Sequence, residues 1–297
     1  MELRHLRYFV TVAEELHFTR AAQRLHIGQP PLSQQIQALE AELGVPLFER
    51  HKRKVVLTDA GQHFLLRARQ ILQDTRDATE EARRAARGEI GELRIGFTSS
   101  LPLTPVLPAA LHAYRQYFPK VTLTLHEMFT FDQFDALLHQ RIDVGFVRFN
   151  GLEPAAGIVV KELRRDRLRA VVNLSHPLAG NDSLSIAQLR TEDLIGYPAG
   201  VGTGLIAVLR ELCAAQGFEP RITQVAGEAT TQIGLVAAGL GIAVLPSPLE
   251  CVKVEGVRYV PLIDVGAYLS MGIATREGDA SPLVNGFMTH LPPDLTT

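Results

Sequence analysis

Apolar residues recur at three- and four-residue steps through the first 44 positions, which is typical of amphipathic helices. Thr19 is predicted to cap a short second helix, and the segment 26–29 ends that helix. Pro30-Pro31 fit the first turn of a third helix, which ends at Gly44. The positions that face inward on the first helix are Leu3, Leu6, Phe9, Val10, Ala13 and Leu16, and on the third they are Leu32, Ile36, Leu39 and Leu43.

Two short apolar runs, 45–48 and 55–57, flank a basic segment and predict a small β-hairpin. Helix, tight turn, helix and charged hairpin is the layout of a winged helix-turn-helix, whose second helix enters the major groove of DNA. The candidates for base contacts are Gln29, Ser33, Gln34 and Gln37, and those for phosphate or minor-groove contacts are Arg50, Lys52, Arg53 and Lys54. The alternative is a solvated polar helix followed by a solvated charged turn.

A long helix is predicted from Thr58 to about Arg87, because the segment has no proline and its one glycine lies near the start. Apolar and small residues along it alternate steps of four and three, which is the spacing of a coiled-coil seam. These positions are Phe64, Ala68, Ile71, Thr75, Ala78, Ala82 and Ala85. The pattern favours contact with a second chain over packing against the helix's own domain.

From Glu89 onward, predicted strands and helices alternate, which indicates βαβ units and a mostly parallel sheet. Strands are predicted at 93–97, 121–127, 143–148, 168–173, 193–197, 222–226, 242–246, 257–261 and 268–275. Helices are predicted at 103–117, 131–139, 204–216, 229–238 and 283–290. The fold class is therefore α + α/β, with domains at 1–58 (DNA-binding), 59–88 (linker helix) and 89–297.

The charge balance supports this division of the 297 residues, whose formal net charge is −2. Residues 1–88 hold 14 Lys and Arg against 11 Asp and Glu, net +3, whereas residues 89–297 hold 16 against 21, net −5. A modestly basic module joined to an acidic remainder fits a DNA-binding domain attached to another function. No secretory leader or membrane span is predicted, so we expect a cytoplasmic protein.

The stretch LRYFVTVAEELHFTRAAQRLHIGQPPLSQQIQALEAELGVPLFERHKRKVVLTDAG resembles the N-terminal domain of LysR-type transcriptional regulators. The resemblance implies that Gln29, Pro30, Ser33 and Gln34 lie at the groove and that the wing runs through Arg50 and Arg53; Thr19, Pro31, Gln37 and Lys52 complete the predicted contact set. Gln34 departs from the family, which often has arginine there. The family's linker helix implies a homodimer or a homotetramer that reads an inverted repeat, with RNA polymerase as a further candidate partner.

The second part resembles the two-lobed fold shared with type 2 periplasmic solute-binding proteins. The implied lobes are about 91–161 with 268–297, and about 162–267. Ligands of such sheets lie beyond the carboxyl ends of strands. The candidates there are Ser99, Ser100, Thr130 and Arg148 from the first lobe and Gly202, Thr203 and Gly204 from the second. As alternatives, the hydroxyls could be plain helix caps, Arg148 could pair with a neighbouring carboxylate, and the glycines could form a turn.

The segments IGFTSSLP, HEMFTFDQFDAL and RIDVGFVR resemble regulators of aromatic catabolism and acetoin-pathway relatives. In that subgroup the positions of Ser100, Thr130 and Arg148 look like those that hold carboxylates such as muconate. The resemblance therefore implies a small organic-acid effector, with no cofactor and no metal. The glycines of the second-lobe loop depart from the aromatic or proline-rich stretch that relatives often have.

Three other functions are alternatives to this interpretation. An enzyme is not expected, because no metal-ligand spacing and no G-x-S-x-G motif occurs. A transport-type binding protein would lack residues 1–88 and carry a signal peptide. The remaining alternative is a regulator that senses oxidants through Cys213 and Cys251, although Cys213 has no adjacent basic residue and inert thiols are favoured.

Overall fold

The computed structural model describes residues 1–51, 54–150, 152–202 and 204–292. The chain divides into two compact units, Met1–Arg84 and Ala85–Thr297. Each unit has its own apolar core, because the buried clusters draw their residues from one unit or the other. None of the described helices is long and apolar enough to cross a membrane.

The first unit opens with three helices whose apolar faces meet in one core. The helices are α1 (Leu3–Glu15), α2 (Phe18–Arg24) and α3 (Gln29–Leu43). Gly44 ends α3 with a φ of 73°, a left-handed conformation that suits glycine. The predicted cap of α2 is wrong: the ring of His17 accepts the Arg20 N–H, and Thr19 lies exposed within the first turn. The fully buried core residues include Phe9, Ala21, Leu32, Ile36 and Leu39.

The predicted hairpin is present as β1 (Phe48–His51) and β2 (Lys54–Leu57), paired antiparallel. The Thr58 hydroxyl caps the following helix by accepting the Gly61 N–H at 2.9 Å, and it donates to the Pro46 carbonyl at 2.8 Å. A Cβ at Gly61 would lie 2.1 Å from the Leu47 carbonyl oxygen, closer than packing permits. This close approach explains why glycine is the third residue of the helix that follows the wing.

Helix α4 (Asp59–Ala86) corresponds closely to the long helix predicted from the sequence. Its first part belongs to the core of its own unit, because Ala68 is fully buried there and Phe64 packs against the same cluster. Ala68 therefore has no surface left for a partner chain, which corrects the prediction for that residue. Further along the seam, Ile71, Thr75, Ala78 and Ala82 are exposed.

The second unit is built on a mixed sheet. Its strands are β3 (Gly91–Phe97), β4 (Val121–Glu127), β5 (Val144–Arg148), β6 (Ile158–Asn173), β7 (Leu194–Gly196), β8 (Ile222–Val225), β9 (Ile242–Pro246), β10 (Val257–Pro261) and β11 (Tyr268–Arg276). The strand order is β4-β3-β5-β11-β6-β9-β7-β8, and β10 pairs with β6 beside it. The neighbours β4, β3 and β5 are parallel, and so are β9, β7 and β8, as predicted. The two longest strands, β6 and β11, pair antiparallel with their neighbours.

Strand β6 is much longer than the predicted 168–173, and its first part was missed. That part reads IVVKELRRDR, whose charged positions hide the strand pattern. It forms a strand because β11 pairs with it along nine residues, so tertiary pairing overrides local propensity. The helices of this unit are α5 (Val106–Tyr117), α6 (Thr130–Leu138), α7 (Leu205–Ala215), α8 (Ala229–Ala237) and α9 (Pro282–Thr289).

Candidate functional sites

Helix α3 presents a polar face outward while its apolar face fills the core of the first unit. Gln29, Pro30, Pro31, Gln34 and Gln37 are all exposed, and Ser33 is half-buried. Gln35, on the flank of this face, is held by the ring of His5, whose Nε2 lies 2.8 Å from the amide oxygen. The exposed glutamines carry both donors and acceptors on a helix that can enter a groove, which is the chemistry required for contacts with base edges.

The wing is joined firmly to α3. The Glu40 carboxylate accepts the backbone N–H groups of Leu47 and Phe48 at 2.9 and 3.1 Å, which fixes the start of the hairpin. Arg50 lies in β1, and the predicted contacts Lys52 and Arg53 lie outside the described residues. The start of the hairpin is therefore held to α3 by two hydrogen bonds from its backbone to a side chain of the helix.

In the second unit, three predicted effector contacts line one small cavity. Strands β3 and β5 run parallel, so their carboxyl ends meet at the same edge of the sheet and bring Ser99 and Ser100 to Arg148. The cavity has a volume of about 30 Å³, room for one or two water molecules. Its full lining is Thr98, Ser99, Ser100, Phe129, Arg148, Tyr197, Leu205, Pro246 and Leu269.

Arg148 reaches this cavity from within a buried ion cluster. Its Nη1 donates to Asp166 Oδ2 at 2.7 Å, and Arg164 Nε lies 2.9 Å from the other carboxylate oxygen. The side chains of Arg148 and Asp166 are 3% and 0% exposed. Burial lowers the pKa of Arg148, and the charge of Asp166 opposes that shift. Two guanidinium groups thus share one carboxylate, and the cluster keeps a net positive charge beside the cavity.

Two buried polar atoms in the cavity lining lack a hydrogen-bond partner among the described residues. They are the hydroxyl oxygen of Thr98 and Nε of Arg148. Arg148 Nη2 also reaches toward Ser100 Oγ over a long 3.4 Å. Buried polar groups normally have hydrogen-bond partners. Unpartnered donors around a cavity therefore indicate a binding site for a polar ligand.

Thr130, the remaining first-lobe candidate, has a different role from the one predicted. Its hydroxyl donates to the Arg148 carbonyl at 3.0 Å and accepts the Arg148 N–H at 3.2 Å. Thr130 is fully buried and is not in the lining of the small cavity, and its hydroxyl bonds to the end of β5. Thr130 therefore positions the backbone of Arg148.

Gln133, which the sequence pattern did not single out, helps to hold the same edge. Its side-chain amide donates to the carbonyls of Met128 and Phe146 at 3.0 and 3.1 Å. Gly96 and Gly145 make room for it, since a Cβ at Gly145 would lie 2.8 Å from the Gln133 amide oxygen. Nothing in the local sequence distinguishes this glutamine from the polar residues of an ordinary amphipathic helix.

The glycines of the second-lobe loop line a separate, larger cavity of about 390 Å³. Gly202 and Gly204 adopt φ values of 71° and 70°, and a Cβ at Gly202 would lie 2.6 Å from the Phe131 ring. Thr203 lies outside the described residues. The remaining lining is mostly apolar: Phe131, Leu152, Tyr197, Pro198, Ala199, Gly200, Ile206, Ala207, Arg210, Ile222 and Val225.

Two family models cover nearly the whole chain. One, described as a bacterial regulatory helix-turn-helix protein of the lysR family, matches residues 3–62. The other, described as a LysR substrate binding domain, matches residues 86–295. The chain belongs to the LysR family of transcriptional regulators. This LysR-type regulator therefore combines a DNA-binding domain with an effector-binding domain, as the sequence predicted.

Relatives of this LysR-type regulator are similar along their full length. The HTH-type transcriptional regulator YnfL of Escherichia coli (strain K12) is 43% identical and covers 98% of both chains. BenM of Acinetobacter baylyi is 38% identical over 96% of this chain and 93% of its own. The solved structure of full-length CbnR with its target DNA matches with a TM-score of 0.82, 32% identity and 98% coverage of both chains.

The effector-binding domain of the regulator also has a solved counterpart. The BenM effector binding domain with its effector benzoate matches with a TM-score of 0.59 and 32% identity, over 68% of this chain and 90% of its own. Among the described residues, no cluster of His, Cys, Asp and Glu side chains could hold a metal ion.

The thiol-sensing alternative is not favoured for this LysR-type regulator. Both cysteines are free, with Cys213 buried in α7 and Cys251 exposed. Burial raises the pKa of the Cys213 thiol to about 11, so it stays protonated and a poor nucleophile near neutral pH.

Proposed function

We propose that this regulator reads an inverted-repeat DNA site as a homodimer or a dimer of dimers, through Gln29, Gln34 and Gln37 of α3. It would act in the cytoplasm, where bacterial DNA lies. The support is the outward polar face of α3, the anchored wing, and the exposed seam residues Ile71 and Ala78 on α4.

This part of the proposal is tested by mobility shift on an inverted-repeat site from the protein's own promoter. Gln34→Ala should weaken binding to the cognate site about tenfold and binding to random DNA little, because base contacts carry specificity and phosphate contacts do not. Gln70→Ala, an exposed glutamine on α4, is the matched control. Equal losses for both variants would contradict the assignment of α3.

We further propose that the effector is a small carboxylate held by Arg148, Thr98 and Ser100. The observation that carries this is the pair of unpartnered buried atoms, Thr98 Oγ1 and Arg148 Nε, around one positively charged cavity. A carboxylate oxygen accepts from both and offsets the excess charge of two arginines on one carboxylate. Benzoate, the effector of the BenM domain, is a carboxylate of this class.

Thr98→Val separates a ligand contact from a structural role. Because the Thr98 hydroxyl has no hydrogen-bond partner among the described residues, replacing it by a methyl group should leave the melting temperature unchanged or raise it. Carboxylate binding, measured calorimetrically with benzoate, should fall about tenfold for the loss of a charge-assisted hydrogen bond.

Thr104→Val is the control for this experiment. The Thr104 hydroxyl already donates to the Leu101 carbonyl at 2.8 Å and accepts the Val106 N–H at 3.2 Å. Its loss should lower stability without a direct effect on the ligand. A Thr98→Val protein that is destabilised but binds benzoate normally would refute the carboxylate site.

A further inference from the structure

Tyr197, immediately after β7, forms part of the lining of both cavities of the effector-binding domain. It is 9% exposed. On the side of the small cavity its ring meets Phe129, with the ring centroids 6.4 Å apart and an interplanar angle of 80°. Tyr197 also lines the larger cavity, which contains the glycine loop. It therefore borders both a charged cavity and a mostly apolar one.

Neither cavity alone has both the polar groups and the volume that are needed to bind an organic acid. The small cavity carries Arg148 and the unpartnered hydroxyl of Thr98, but its volume of about 30 Å³ does not admit a ring or an alkyl chain. The larger cavity, about 390 Å³, is in the size range of small-molecule sites, yet its lining is mostly apolar and its one charged residue, Arg210, is exposed. Anion recognition and room for the apolar part of a ligand therefore lie in two cavities that share Tyr197 in their linings.

We propose that Tyr197 is a movable wall, and that its displacement joins the two cavities into one site for a carboxylic acid with an apolar body. The carboxylate enters the chamber of Arg148, and the body takes the space beyond the tyrosine. This rests on the proposed carboxylate effector and adds to it the size class of the ligand and the residue that sets it.

The contacts of Tyr197 are consistent with a side chain that can move. No hydrogen bond to its hydroxyl occurs within the described part of the chain, so packing rather than a polar anchor holds the ring. Burial raises the pKa of the phenol, which is therefore neutral when it moves. The loop that follows contains Gly200 and Gly202, both at positive φ, and a glycine-rich backbone can absorb a local rearrangement.

If the Tyr197 ring must be displaced before a ligand can bind, the free energy of that displacement lowers the apparent affinity for the ligand. If the open arrangement is a minor state, the apparent affinity is reduced by its population, and a variant without the ring escapes that reduction. The gain in affinity is specific to ligands whose apolar part extends into the larger cavity. Acetate, which has almost no body, should gain least.

The test is calorimetric titration of the full-length protein with acetate, benzoate and 3-phenylpropanoate, using wild type, Tyr197→Phe and Tyr197→Ala. Tyr197→Phe keeps the wall and should match wild type for all three acids. Tyr197→Ala should raise the affinity for 3-phenylpropanoate relative to acetate by about tenfold. Tyr197→Val serves as a second variant if the alanine variant is poorly folded by circular dichroism.

The outcomes separate this inference from the proposed function. If wild type binds benzoate and Thr98→Val weakens it, but the ratio for 3-phenylpropanoate over acetate is the same in all Tyr197 variants, the movable wall is rejected and the carboxylate site stands. If neither wild type nor any variant binds any of the three acids, the carboxylate effector itself is rejected, and the wall with it.

Discussion

Removal of the Asp166 carboxylate should be among the most damaging single changes in the effector-binding domain. Asp166 is fully buried and lies 2.7 Å from Arg148 Nη1 and 2.9 Å from Arg164 Nε. In Asp166→Ala, the Arg148 guanidinium remains buried with no counter-charge and beside a second arginine. Removing one partner of a buried ion pair typically lowers the free energy of unfolding by about 3–5 kcal/mol, because the remaining charge stays buried without a counter-charge.

That free energy translates into a large change in thermal unfolding. For a domain of this size, 1 kcal/mol shifts the melting temperature by roughly 2–4 °C, so the expected loss for Asp166→Ala is about 6–20 °C. Calorimetry on the full-length protein measures it as a shift of the transition assigned to the effector-binding domain. Asp182→Asn is the control, because that carboxylate is exposed at the surface, 3.5 Å from Arg258, and should cost under about 1 kcal/mol.

The double variant Arg148→Met/Asp166→Leu tests whether the loss of stability in Asp166→Ala comes from the unpaired charge of Arg148. Replacing both charges by apolar groups removes the uncompensated guanidinium, and half-exposed Arg164 can turn its charge toward water. We expect the double variant to be more stable than Asp166→Ala although it removes more polar contacts. If the double variant melts lower than the single one, the cost lies in lost packing and the electrostatic account is wrong.

Three further changes probe other parts of the molecule. Gly61→Ala should destabilise the DNA-binding unit by several kcal/mol in thermal unfolding, because its Cβ would lie 2.1 Å from a backbone carbonyl oxygen. Burial alone would raise the pKa of Asp143, but hydrogen bonds from Arg94 outweigh it and the pKa is lowered. The Asp143 carboxylate therefore contributes stability above its unfolded-state pKa, and this contribution is lost as the pH falls through the folded-state pKa. Asp143→Asn should consequently flatten the decline in the free energy of unfolding below about pH 4. Iodoacetamide should label exposed Cys251 in the native protein and buried Cys213 only after unfolding, as mass spectrometry of peptides would report.

Each of these has its own control and its own contradicting result. Gly180→Ala, where a Cβ meets nothing within 4 Å, should be tolerated; similar losses at Gly61 and Gly180 would remove the steric argument. An unchanged acid limb in Asp143→Asn would show that other carboxylates dominate acid unfolding. Equal labelling rates for Cys213 and Cys251 in the native protein would reopen the redox alternative.

Local patterns were sufficient for most elements of this fold. Helices with an apolar face, such as α1 and α3, and strands with a short buried run, such as β9, show their period in the sequence itself. The first part of β6 did not, because its charged side chains imitate a solvated segment. Only the pairing with β11 makes it a strand, and that partner lies more than 100 residues later in the chain.

The lining of the candidate site can be predicted from the sequence where its residues follow the ends of adjacent strands, and it cannot be predicted elsewhere. Ser99, Ser100 and Arg148 come directly after or at the end of parallel strands, which the alternating pattern locates. Asp166 lies in a run of arginines, and no local signal distinguishes a buried carboxylate there from an exposed one. Tyr197 looks like an ordinary core aromatic until the cavities on its two sides are known.

The unpartnered atoms around Arg148 are more informative than the satisfied ones. An unsatisfied buried polar atom costs about 1–3 kcal/mol, and valine at Thr98 would remove one such cost without changing the side chain's shape. A carboxylate that accepts from Thr98 and Arg148 recovers this free energy on binding. If benzoate binds as proposed, the rise in melting temperature that it produces should therefore be smaller in Thr98→Val than in wild type, although the variant without ligand melts at an equal or higher temperature.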